Sequence, residues 1–207
     1  MKRIFLSTLF LLTLLITTSC KSFDKDIYFK DTVKFNKNVR IAVLPFEDAV
    51  NAHKSGINVS DAITNELIRI TNWDIVERTQ LMKIIKEQSI EATGMTEDDY
   101  SKLGKLTNVD YFITGSLGQY QQIPDRDGNP GIRITINLRF IDTTHGKIVG
   151  TGRYSYNTNK NYLRGCCLTG WFFVFLPEDT IDRELTKISK ILIQDMKEQL
   201  KIGHPGK

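Results

Sequence analysis

The chain has 207 residues, with 28 Lys and Arg against 24 Asp and Glu, a formal charge of +4 and 41% hydrophobic residues. The two signs are interspersed along the chain, which excludes the basic stripe that a nucleic-acid partner needs. The three cysteines include the neighbours Cys166 and Cys167. Neighbouring cysteines close only a strained bridge, so there is no disulfide framework.

The first stretch reads Lys2-Arg3, thirteen mostly apolar residues from Ile4 to Ile16, then Thr17-Thr18-Ser19-Cys20. Two cations, a short apolar run and small residues predict a secretory signal over residues 1–19. The run is too short for a spanning helix, which needs about 20 residues, and no later run is long enough. The cysteine placed directly after the small residues resembles a bacterial lipobox, in which the thiol is diacylated and the cysteine becomes the new N-terminus. The usual Leu-Ala-Gly is Thr17-Thr18-Ser19 here. Lipidation at Cys20 stands against an ordinary signal peptide with an incidental cysteine. Loss of residues 1–19 leaves about 188 residues, one ordinary domain with a real core. With Lys2 and Arg3 gone, the formal charge is about +2.

Residues 20–37 are charged and weakly patterned, and are expected to form a lipidated tether that reaches roughly 55 Å when extended. The alternative is that the aromatic residues Tyr28, Phe29 and Phe35 pack on the domain. The domain proper is expected over residues 38–202, with a tail at 203–207.

Val39 to Phe46 is nearly continuous in apolar residues, as in a strand covered on both faces. A helix is expected from Asn58 or Ser60, with Val59, Ile63, Leu67 and Ile70 at helical spacing. Trp73–Val76 reads as a short strand. A second helix follows over Gln80–Gln88, with Leu81, Ile84 and Ile85 buried. Thr96 caps a third helix running to about Leu106, with Glu97, Asp98 and Asp99 where the helix dipole favours acids. Val109–Tyr120 is an apolar strand with glycines at Gly115 and Gly118. Ile132 to Phe140 alternates with polar residues, giving one wet face. Asp142–Gly146 is a hairpin turn and Lys147–Tyr156 the returning strand. An amphipathic helix over about Asp179–Leu200 ends the pattern. Alternation followed by meandering strands implies an α/β fold, a mixed sheet of about five to six strands with helices packed on it.

Four blocks carry a family resemblance: Ile41-Ala42-Val43-Leu44-Pro45-Phe46-Glu47; Trp73 to Leu81 running into Lys86-Glu87-Gln88; Asn108 to Ser116; and Leu138 to Ile148. In this order, behind a lipobox, they resemble the curli secretion-channel lipoproteins, the CsgG-like family. The resemblance implies a periplasmic α/β domain on a lipid anchor, working in outer-membrane assembly or secretion. Lipoproteins that activate penicillin-binding proteins, and flagellar outer-membrane lipoproteins, are similar. Channel-forming members of the family insert transmembrane β-hairpins, each strand about 9–11 residues long. Only Gln121–Gly131 occupies the first insertion point, and it is polar and turn-forming. The second offers Asn157–Pro177 with no clear alternation. Half a barrel leaves backbone groups unpaired in lipid, so the pore function does not carry over.

No catalytic constellation is present. His53, His145 and His204 lie in loops or the tail, without a paired-histidine metal motif or a nucleophile elbow. Gly115-Ser116-Leu117-Gly118 lacks the ending of a phosphate loop and reads as a strand that bends. Asp125, Asp127 and Asn129 lack the closing glutamate of a calcium loop and read as a hairpin turn. No cofactor or metal is expected. Trp171, Phe172, Phe173 and Phe175 either cap the core under the last helix or contact a membrane or a partner.

The expected function is therefore that of a non-enzymatic lipoprotein, anchored through lipid on Cys20 with its domain in the periplasm. It would be an accessory or assembly subunit of an envelope secretion or surface-structure system. Two alternatives are an oligomeric secretion-pore subunit and a regulator that activates a cell-wall synthase. Partners are the membrane and an envelope protein, including other copies of the chain. Lys21 after the cysteine, rather than Asp, resembles the outer-membrane sorting pattern of enteric bacteria.

Overall fold

The computed structural model of this chain describes residues 21–30, 33, 39–91, 94–124, 130–158 and 181–202. Six strands form one sheet: β1 (Lys21–Phe29), β2 (Arg40–Val43), β3 (Asp74–Val76), β4 (Tyr111–Pro124), β5 (Pro130–Asp142) and β6 (Lys147–Thr158). Their order across the sheet is β1-β6-β5-β4-β2-β3. Four helices are described: α1 (Ser55–Ile70), α2 (Arg78–Glu87), α3 (Glu97–Thr107) and α4 (Ile181–Ile202). The mixed α/β sheet expected from the sequence is the observed one.

β2 is parallel to both β3 and β4, and the other pairs are antiparallel. The chain leaves β2 through α1 to reach β3 on one side, then returns through α2 and α3 to β4 on the other. Parallel crossovers keep one hand, so reversing direction moves the helices to the opposite face. Two cores result. Val59, Ile63 and Leu67 of α1, at spacings of four residues, pack with Ile41, Val43 and Ile113. Leu81 and Ile85 of α2 and Leu103 of α3 pack with Ala42, Leu44 and Phe112 on the other face. The alternate residues of β2 thus enter different cores, which is why its sequence shows no polar side.

Among the described residues the long antiparallel half, β5, β6 and β1, is covered on one face, except at Ile141 of β5, which joins the second core. Leu185, Ile188, Leu192, Ile193 and Met196 of α4 lie over Ile134, Ile136, Leu138 and Tyr154. On the opposite face Arg133, Asn137 and Arg139 of β5 neighbour Asn157, Arg153 and Thr151 of β6. Among the described residues no helix covers that face. The alternation along β5 thus reports a single covering layer.

Several boundaries move from the sequence reading. α1 starts at Ser55, earlier than Asn58 or Ser60, because its cap comes from a distance: Asp48 Oδ1 accepts the Gly56 N–H at 2.8 Å. Ser60 is instead buried, and its Oγ accepts the Phe46 N–H at 3.1 Å, fastening α1 to the end of β2. For α3 the capping expectation holds. Thr96 Oγ1 accepts the Asp99 N–H at 3.3 Å while Asp99 Oδ2 accepts the Thr96 N–H at 3.0 Å. In β4 the register shifts between Leu117 and Gln119, a bulge at Gly118 where the sequence suggests a bend.

The larger correction concerns residues 20–37. Lys21–Phe29 is not a free tether but the edge strand β1, antiparallel to β6 over nine residue pairs. The sheet therefore takes in residues before 38. The alternation of β1 is short and interrupted by charge, which hides it. Ile27 and Phe29 pack on the main core, and between them Tyr28 is exposed. Phe29 lies across Gly150, where a Cβ would stand 2.5 Å from its ring. The Phe29 and Phe140 rings are 4.7 Å apart by centroid, a tilted pair.

Candidate functional site

Cys20 lies outside the described residues, but the next residue does not. Lys21 is in register with Thr158, the last residue of β6. Thr158 also pairs with Ile132 of β5, so these three strand ends mark one end of the sheet. Beyond Ile132 only the pairs Ile123–Gly131 and Pro124–Pro130 extend the β4–β5 hairpin. The five residues between Pro124 and Pro130 are outside the description, as is the Asp125-Asp127-Asn129 turn. Two further pairs plus a turn fall far short of the 9–11 residues that each membrane-crossing strand needs.

The stretch containing Cys166, Cys167, Trp171, Phe172, Phe173 and Phe175 falls within residues 159–180, outside the described residues. Its two attachment points are described: Thr158, and Ile181 at the start of α4. Asp182 contributes to the charge environment of Tyr120, which also bonds Asn58, so the start of α4 lies near the middle of β4 and the start of α1.

One partly buried carboxylate fixes the strand that follows Cys20. Asp195 of α4 takes Lys25 Nζ of β1 at 2.9 Å on Oδ1. On Oδ2 it takes the Tyr154 hydroxyl of β6 at 3.3 Å. One carboxylate thus ties β1, β6 and α4 together. Burial, then the charge of Asp195, holds the Tyr154 phenol well above its ordinary range. Tyr156 is raised in the same way, by burial and then by its hydrogen bond to Glu184. Glu184 is itself buried and pairs with Lys187 Nζ at 2.6 Å. The sequence reading missed this set, because a lone Lys25, a lone Tyr154 and a lone Asp195 carry no spacing signal.

The histidines expected in loops are there: His53 lies beside Asp48 and His145 beside Asp142, both largely exposed. Among the described residues no group of three or more His, Cys, Asp or Glu could hold a metal ion. No described helix is long and apolar enough to cross a membrane.

The family model identifies the family. The family model described as "Curli production assembly/transport component CsgG" matches residues 26–199. Among solved structures, the chain is similar to the PelC dodecamer from Paraburkholderia phytofirmans. The TM-score is 0.53 at 11% identity, over 83% of this chain and 95% of that one. It is also similar to the lipoprotein GNA1162 from Neisseria meningitidis. There the TM-score is 0.54 at 11% identity, over 79% of this chain and 99% of that one. Identity this low shows a shared fold. No curated protein matches the sequence. With the family match running from within β1 into the last helix, over a mixed sheet of the same fold, the chain belongs to the CsgG family.

Proposed function

We propose that the protein is a non-enzymatic, lipid-anchored subunit of an envelope secretion or surface-structure system, held to the outer membrane through Cys20 with its domain in the periplasm. The observation that carries the reading is the register of β1: the chain joins the sheet at Lys21, one residue after the candidate lipidation site. A lipid there holds the folded domain against the membrane rather than on a long leash. The end of the sheet marked by Lys21, Thr158 and Ile132 then faces the bilayer, and the turn between β5 and β6 faces away. The segment that holds Trp171, Phe172, Phe173 and Phe175 follows Thr158 in the chain, and its aromatic composition supports a second membrane contact.

Family membership supports an assembly or transport setting. PelC, solved as a dodecamer, supports self-association as a second property of this chain. The length of the β4–β5 hairpin argues against a pore built from it. Replacing Cys20→Ala tests the anchor. The altered protein should leave the membrane fraction and appear in the soluble periplasmic extract. Unchanged fractionation would overturn the lipid anchor.

A further inference from the structure

At the end of the sheet opposite Lys21 an open cleft of about 420 Å³ lies between the chain after β1 and the turn joining β5 to β6. That volume is in the range of ligand sites, roughly 300–1,000 Å³. Its floor is a row across three strands: Tyr111 of β4 is the register partner of Asp142 of β5, which is the partner of Lys147 of β6. Lys30 and Val33 form one wall, Thr144 and His145 the other, and Val149 completes the apolar part.

Both walls are set by backbone contacts. Lys30 N–H donates to Val149 O at 2.9 Å, and Val33 N–H to Lys30 O at 3.0 Å, which fixes both residues beside the cleft. On the other side Thr143 Oγ1 donates to Val109 O at 2.6 Å. Gly146 takes a positive φ of 66° with no room for a Cβ, which would lie 2.0 Å from Glu97 O. The turn is thus pressed onto α3.

The charges point to one ligand class. Both Asp142 oxygens are engaged, Oδ1 by the Thr144 N–H at 3.0 Å and Oδ2 by His145 Nδ1 at 2.7 Å. Asp142 therefore orients His145 rather than facing a ligand. Lys30 and Lys147 remain as ammonium groups beside Val33, Val149 and the Tyr111 ring. Among the described residues of the lining, Lys30 and Lys147 against Asp142 leave one net positive charge. That balance suits a monoanion on an apolar body, and it does not suit a dianionic phosphate, which favours arginine forks or a nest of backbone N–H groups. We propose that this cleft binds the C-terminal carboxylate of a partner polypeptide whose last residue is apolar. Lys30 and Lys147 would take the carboxylate, and Val33, Val149 and Tyr111 the final side chain. The site stands whether or not Cys20 carries lipid.

Fluorescence anisotropy of the full chain, purified in detergent, tests it. The probe is a dye-labelled hexapeptide ending in valine, with a free carboxylate or as the C-terminal amide. Saturable binding of the acid, with the amide at least tenfold weaker, is expected. Lys147→Glu and Lys30→Glu should each weaken the acid several-fold while circular dichroism stays unchanged. Acetate in excess should compete. Equal binding of acid and amide, no binding of either, or indifference to the lysine reversals overturns the proposal. Displacement by inorganic phosphate but not by acetate overturns the carboxylate assignment. Because the acid–amide comparison uses the unaltered chain, it does not depend on any variant folding.

Discussion

At the residue scale, Asp195 and the two raised tyrosines make a pH prediction with a definite sign. Tyr154 and Tyr156 keep their protons in the folded protein well beyond the ordinary tyrosine range, because burial disfavours the phenolate. In the unfolded chain both ionise near about pH 10. Below that pH both states are protonated and the full contribution to stability is present. Above it the unfolded state binds fewer protons, so stability falls as pH rises, by about 1.4 kcal/mol per pH unit for each tyrosine. Urea midpoints measured from pH 9 to 11 should show this decline. Tyr154→Phe with Tyr156→Phe should flatten it. A decline of the same slope in the double variant would show that other groups cause it. Asp195→Ala removes the partner of both Lys25 and Tyr154. It should cost about 1–2 kcal/mol, the usual scale for a hydrogen bond whose mate is left buried. The Lys25 pair adds little by itself, since the lysine is half exposed.

At the element scale, β1 is an edge strand, and the proposed anchor acts through it. It has a single hydrogen-bonded neighbour, β6, and its hold on the core is Ile27, Phe29 and the Lys25–Asp195 pair. Phe29→Ala should therefore detach β1 before it unfolds the domain. The cost is about 2 kcal/mol, below that of a fully buried phenylalanine because Phe29 is only partly covered. Amide hydrogen exchange should rise across Lys21–Phe29 and stay slow in β5. Uniform acceleration would mean that β1 is part of the global folding unit. Gly150→Val should act on the same contact, because a side chain there takes the space of the Phe29 ring. For α3, Thr96→Ala removes the cap and should cost about 1 kcal/mol in urea unfolding.

For the molecule as a whole, the two ends of the sheet divide the proposed work. One end receives the chain from Cys20, and the other, roughly 35 Å away along β5, holds the cleft beside Asp142 and His145. If the lipid holds the first end at the bilayer, a fluorophore at Gln122 should be quenched by lipid-borne quenchers, and one at Thr144 should not. Both positions are exposed, so labelling leaves the core intact. Equal quenching at the two sites would show that the domain lies on its side or swings freely. A flexible insert between Cys20 and Lys21 should reduce the contrast. That insert recreates the tether that the sequence alone suggested.

The sequence by itself determined the types and order of the elements from β2 onward, because hydrophobic period is a local property. Ile41 to Phe46, the stripe Val59-Ile63-Leu67, the alternation from Ile132 to Phe140 and the Thr96–Asp99 cap are each readable within about a dozen residues. Their order also carried the family resemblance. The tertiary structure decided what depends on contacts between distant residues. Lys21–Phe29 is a strand because β6 pairs with it and Phe29 finds Gly150 and Phe140, more than a hundred residues away. α1 starts at Ser55 because Asp48, outside the helix, caps it. The cleft exists because sheet register sets Tyr111, Asp142 and Lys147 side by side. None of these partners leaves a periodic mark in the chain, since pairing across a sheet is chosen by register and packing rather than by neighbours in sequence.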